Sequence, residues 1–228
     1  GKATLIIDNV NTATNRGVTL TDTATIQIAS GIASLKGMVR GSNGVLRKTG
    51  GGQLNITYGG ANSWKSTILQ AGTLAMGTWN TTFGTATSPI HVTGNSTIVI
   101  FDNNSTSTVP SLRNSIEIDG GKILTVNGGK RCNLQGSLSG SGRMKVSFPY
   151  VRGDVSTNVS QFEGIIEVTS GQYRLVQGMD LSKGSLQLDA GVYAVSVKAG
   201  SGTETALTHK VGALTSSASD CTLATGTW

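Results

Sequence analysis

Charge, aromatic residues and proline are all scarce in this sequence. Charged residues make up 13% of the 228 positions, against about 25% in an ordinary soluble domain. Aromatics are 5%, and there are only 3 prolines, 2 cysteines and 2 histidines. A helical bundle needs many Ala, Leu, Glu and Lys, which this composition does not supply. Three prolines and irregularly spaced glycines exclude collagen. No apolar run approaches the ~20 residues of a membrane-spanning helix, and no basic-apolar signal segment opens the chain. Cys132 and Cys221 lie 89 positions apart. They either pair or stay as separate thiols. Without a Cys-x-x-Cys, and with His91 and His209 as the only histidines, no metal site is expected.

Small and hydroxylated residues stand in their place. Gly, Thr, Ser and Asn together fill 101 of 228 positions, while 37% of residues are hydrophobic. The aliphatics recur too regularly for a disordered chain, and the length is ample for a buried core. The composition is that of an all-β, secreted type of protein. The net charge is +6, but the bases are spread from Lys2 to Lys210 without interleaved aromatics, so nucleic acid is not an expected partner. The densest stretch is Lys122, Lys130, Arg131, Arg143 and Lys145. It reads as solvated surface or as a site for an acidic glycan or other polyanion.

One pattern recurs: two alternating apolar residues, a Gly-containing turn, then two more. Ile90-His91-Val92 leads through Gly94 to Ile98 and Ile100. Ile116-Glu117-Ile118 leads through Gly120-Gly121 to Leu124 and Val126. Ile166-Glu167-Val168 and Leu186-Gln187-Leu188 follow the same plan. Alternation puts one face of each short strand inside. Leu54 to Leu74, Ile56 to Met76, Ile118 to Leu138, Ile166 to Leu186 and Val168 to Leu188 are each 20 positions apart. Strands of a sandwich recur about every 8–12 residues, whereas a coil of two or three short strands suits a period near 20. The expected fold is a right-handed parallel β-helix of about 9 to 11 coils, with a β-sandwich of hairpins as the alternative. Residues 1–228 read as one repeat domain. Asp102–Thr108 and the stretch from Ser147 to Gln161 read as insertions projecting from it.

Gly44-Val45-Leu46-Arg47-Lys48-Thr49-Gly50-Gly51-Gly52-Gln53-Leu54-Asn55-Ile56, then Gly60-Ala61-Asn62-Ser63-Trp64 and Ala71-Gly72-Thr73-Leu74, form a more specific unit. It resembles the autotransporter-associated β-strand repeat, also called the passenger-associated transport repeat. That pattern is Leu-x-Lys-x-Gly-x-Gly-x-Leu-x-Leu, a Gly-x-Asn-Thr-Tyr-like turn and Gly-Thr-Leu. Lys48, Gly50, Gly52, Leu54, Asn62 and Gly72-Thr73-Leu74 match it. Ser63-Trp64 departs from the usual Thr-Tyr. A weaker copy runs from Leu138 to Val146 and resumes at Phe162. The resemblance implies a bacterial cell-surface or secreted, extracellular protein with a β-helical stalk. Val211-Gly212-Ala213-Leu214 reads as the opening of a further repeat and Leu5-Ile6-Ile7 begins directly as a strand. The sequence is therefore expected to be part of a longer solenoid, with flanking repeats as partners.

Two functions of different class follow. The first is a noncatalytic stalk or adhesin-like module, presenting loops to host or cell-surface glycans or proteins through reach and multivalency. The alternative is a β-helix that binds or cleaves polysaccharide. Cleavage needs paired carboxylates, or a base with a cation to acidify the sugar C–H. Asp102, Glu117 and Asp119, or Asp154, Glu163 and Glu167, are the sets that stacking would bring together. Each is expected to be a solvent-facing strand or turn residue, and His91 to point outward without a catalytic partner. No catalytic residue and no cofactor is expected. For this alternative Trp64 and Trp79 are the candidate stacking platforms, with Lys130 and Arg131 as charged contacts; the other reading of each Trp is partial burial on a solenoid flank or lid. Val168 and Leu188 are expected inside. Glu167 and Gln187, on the opposite face, are expected to change stability by less than about 0.5 kcal/mol on truncation.

Overall fold

The computed structural model describes residues 3–8, 11–78, 81–100, 109–128, 131–196, 207–217 and 222–225, of which 149–152, 193, 195–196 and 222–225 are described as backbone alone. Among them there is no helix, and the strands pair parallel throughout. A sandwich of hairpins requires antiparallel neighbours, so the alternative fold is set aside. The chain is a parallel β-solenoid.

Two long ladders carry it. The first sheet stacks Ala3–Ile7, Thr23–Ile28, Val39–Thr49, Ser63–Leu69, Ile90–Val92, Ile116–Ile118, Ser137–Gly140 and Asn158–Phe162, in that order. The second stacks ten strands, from Thr12–Thr14 and Ile32–Leu35 to Asp180–Leu188 and Lys210–Ser216. A third, less regular face is made of shorter pairings. Val18 lies on Val39, Gly41 on Trp64, Leu112 on Leu134, Cys132 on Gly153 and Tyr173 on Ala194.

The register confirms the 20-residue spacing at Leu54 on Leu74, Ile56 on Met76, Ile166 on Leu186 and Val168 on Leu188. Elsewhere the coil length varies. Ile98 pairs with Val126 and Leu186 with Leu214, each 28 positions on. Ile116, not Ile118, is the partner of Leu138. The stretch from Ser147 to Gln161 is not an insertion. It belongs to Arg143–Val155 and Asn158–Phe162, which pair parallel with the neighbouring coils, with register shifts between Phe148 and Gly153 and opposite Ser137–Ser139. Pro149 stands in the shifted part of a rung that pairs on either side of it. Asp102–Thr108 lies outside the described residues.

Inward rows of aliphatics stack from coil to coil: Leu54, Leu74, Ile98, Val126, Val146, Val168 and Leu188 are all 2% exposed or less. With side chains alternating across each strand, every such residue is covered by the rungs on both sides. Phe83, Phe148, Phe162, Trp64 and Tyr173 are the largest buried side chains apart from one lysine. That lysine, Lys48, occupies an inward position between Ile26 and Leu69. Its side chain carries a charge into the core row.

Candidate functional site

Two of the four side chains expected to meet a ligand are described. Trp64 alternates with the half-buried Ser63 and the exposed Lys65, and it points inward, 1% exposed. Its Nε1 donates to Thr67 Oγ1 at 2.9 Å, and Ser88 Oγ donates to its carbonyl at 2.6 Å. The largest apolar side chain of this segment is taken into the core, so it offers no ring face for a sugar. Arg131 stays on the third face, with Nη2 3.8 Å from Asp154 Oδ2. Arg174 Nη1 is 3.2 Å from Asp154 Oδ1, so the carboxylate lies between two guanidiniums. Trp79 and Lys130 lie outside the described residues.

Asp154, Glu163 and Glu167 do not gather as the spacing suggested. Asp154 belongs to the arginine cluster of the third face, while Glu167 stands on the second sheet. Glu163 is exposed, and Asp102 lies outside the described residues. Glu167 is 6% exposed, not solvent-facing. Arg143 Nη1 donates to its Oε2, and Lys145 Nζ donates to its Oε1 at 3.0 Å. Arg143 also donates to Gln187 Oε1 at 3.2 Å. The cause is register: Lys145, Glu167 and Gln187 stand on consecutive rungs of one outer row. Burial raises the Glu167 carboxyl, but the hydrogen bonds from Lys145 and Arg143 outweigh it and hold it below its ordinary value. A general acid needs the opposite shift. Asp180 is likewise held down, chiefly by Ser182, whose hydroxyl donates to Oδ1 at 2.6 Å.

His91 stands half-exposed on the outer side, as expected, beside an acidic neighbour. Its Nε2 lies 2.8 Å from Asp119 Oδ1, because His91 stands beside Glu117 in the ladder and Asp119 follows on the same side. His209 Nδ1 accepts from the Met179 N–H at 3.1 Å, and burial lowers its pKa. Cys132 is a free, buried thiol whose pKa is pushed up to about 12 by burial and by Asp154. Both the burial and the raised pKa are the opposite of what a nucleophilic thiol needs. Cys221 lies outside the described residues. Among the described residues no group of three or more His, Cys, Asp or Glu is placed to hold a metal ion.

Three buried polar residues do structural work that the expected site residues do not. Lys48 Nζ donates to the carbonyls of Thr49, Gly50 and Ala71 at 2.7, 2.8 and 3.2 Å. Asn62 accepts from the Val39 N–H at 3.0 Å and donates to the carbonyls of Tyr58 and Thr82. Asn114 Nδ2 lies within 3.0 Å of the carbonyls of Phe83, Thr85 and Ser88. Each closes a turn whose carbonyls would otherwise be buried unpaired. The alternation Leu46-x-Lys48 was the available signal for the first of these, since it puts the lysine on the inward parity. No family model, curated protein or solved structure matches the chain.

Proposed function

We propose that this chain is a noncatalytic solenoid module of the extracellular stalk or adhesin type, carried on a bacterial surface or secreted. The observation that carries the reading is the unbroken ladder of ten parallel strands in the second sheet. Each rung adds about 4.8 Å of hydrogen-bonded, core-backed length, which makes a stiff spacer out of locally simple units. The residues that match the autotransporter-associated repeat support the same reading. Lys48 and Asn62 are spent on turn carbonyls, and Gly72 on a tight turn next to Lys48. A repeat signature made of such residues is a signature for stacking coils. Asp119, Asp154, Glu167 and Asp180 are each engaged by a basic partner, an arrangement suited to a stable outer face.

The test is to display the chain on a bacterial surface between an anchor and an epitope tag. Deleting whole rungs from the middle should lower access of an antibody to the tag in step with the length removed. Access that does not change with rung number, or turnover of a polysaccharide by the purified chain, would overturn the reading.

A further inference from the structure

The outer face of the second sheet, beside the turns that join it to the first, carries an open groove of about 370 Å³. That is within the size range of small-ligand sites. Gly51, Gly72, Thr73, Asn95, Thr97 and Thr125 line it. Thr73, Thr97 and Thr125 are register partners on three successive rungs. Their hydroxyls form a row at about 4.8 Å steps, and among the described residues none of the three has a hydrogen-bond partner. Asn95 Oδ1 accepts from the Ile123 N–H at 2.9 Å, which fixes the amide, and among the described residues its Nδ2 has no acceptor.

Charge lies at both ends of this row. Behind Gly72 is the Lys48 ammonium, so close that a Cβ on Gly72 would touch Nζ. Its three hydrogen bonds go to neutral carbonyls and to no carboxylate. On the next rung beyond Thr125 stands Lys145, and beyond Ile123 stands Arg143. Two cations share the single Glu167 carboxylate there, leaving one positive charge in excess. Free hydroxyl and amide donors between positive centres are complementary to a hydroxylated chain that bears acids.

We propose that this groove is a binding track for an acidic polysaccharide, laid along the solenoid axis, with its hydroxyls and acid groups on Thr73, Asn95, Thr97 and Thr125. This goes beyond the scaffold reading, since a spacer requires no ligand. The groove contains no aromatic platform, so each contact is weak and strength comes from several rungs held at once.

The experiment titrates the 228-residue protein with polygalacturonate oligosaccharides, dextran sulfate oligosaccharides and neutral dextran, followed by amide chemical shifts. The expected result is shifts centred on residues 72–73, 95–97 and 123–125 with one or both acidic chains, weakening as salt is raised, and silence with dextran. Which acidic chain binds then identifies the acid as carboxylate or sulfate. The triple variant Thr73→Val, Thr97→Val, Thr125→Val should weaken binding at least tenfold. Should that variant fail to fold, Thr97→Glu, which puts a like charge in mid-groove, should abolish binding in a folded protein. Absence of binding, equal binding of dextran, shifts centred on the Arg131–Arg174 face, or full affinity in a folded groove variant would each overturn the proposal. None of these outcomes bears on whether rung number sets reach, so this proposal and the scaffold reading fail separately.

Discussion

At the scale of single residues, Lys48 shows most clearly how the core departs from a row of aliphatics. A buried ammonium is costly unless it is hydrogen-bonded, and here burial lowers its pKa from 10.5 to about 8. Between those values the unfolded chain keeps a proton that the folded chain has released. Stability must therefore rise as pH increases from about 8 to 10.5 and be lowest, for this group, below that window. Lys48→Met should remove the rise, while leaving three turn carbonyls without their donor at a cost of about 1–3 kcal/mol. Urea unfolding of both proteins across the window is the measurement. Gly72 and Gly121 give a second contrast, because both have φ +72. A Cβ at Gly121 meets nothing, whereas at Gly72 it meets the Gly50 and Gly52 carbonyls and Lys48 Nζ. Gly121→Ala should cost about 1–2 kcal/mol for the backbone alone, and Gly72→Ala clearly more. Equal melting shifts for the two would show that the turn relaxes around the methyl group. Glu167 has its carboxyl held below 4.5 by its two cations, so its contribution is present above that pH and is lost as pH falls. Glu167→Gln should cost about 1–2 kcal/mol at pH 7 and nothing once wild type is itself protonated. Thermal melts of both proteins at neutral and acid pH check this.

At the scale of strands, alternation with glycine turns made the coils legible, and its limits have physical causes. Ile166-Glu167-Val168 and Leu186-Gln187-Leu188 show which parity faces in, and Val168 and Leu188 do stand on one another at 0% and 2% exposure. Val168→Asp or Leu188→Asp should abolish soluble folding, because neither carboxylate would find a partner in the stack. Soluble expression with native circular dichroism would contradict the register. What alternation cannot supply is the occupant of the neighbouring rung. Glu167 looked solvated because its own strand is polar outward; it is covered because Lys145 and Arg143 come from the rung below. His91 gained Asp119 in the same way, across 28 positions of chain. Trp64 looked like a sugar platform from its rarity, yet its parity next to Lys65 already favoured the core. Pro149 and the charged residues near it masked the strand Arg143–Val155, whose pairing is set by coils on both sides rather than by its own composition.

At the scale of the whole molecule, a solenoid differs from a globular core in having its stability distributed along one axis. An inward residue is buried only if a rung lies on each side of it. Leu186 and Leu214 are register partners on the same inward row, yet Leu186 is 1% exposed and Leu214 53%. At the other end Leu5 stands in register with Ile26 at 52% exposure against 4%. The chemistry of these residues is the same and the cover differs. Leu5→Ser and Leu214→Ser should therefore cost well under half of what Leu186→Ser does, since transfer free energy scales with apolar area removed from water, at about 25 cal/mol per Å². Backbone protection should follow the same gradient. Among the described residues, Ala3–Ile7 and the second-sheet strand Lys210–Ser216 each have a ladder partner on one side only. Amides there should exchange through local opening, at rates little affected by mutations in the middle, while those from Ile116 to Leu188 should exchange only when several rungs part together. Hydrogen exchange resolved by residue measures both. A flat protection profile from Ala3 to Ser216, or equal costs for Leu214→Ser and Leu186→Ser, would mean that the rungs unfold as one cooperative unit and that the axis does not divide the stability of this chain.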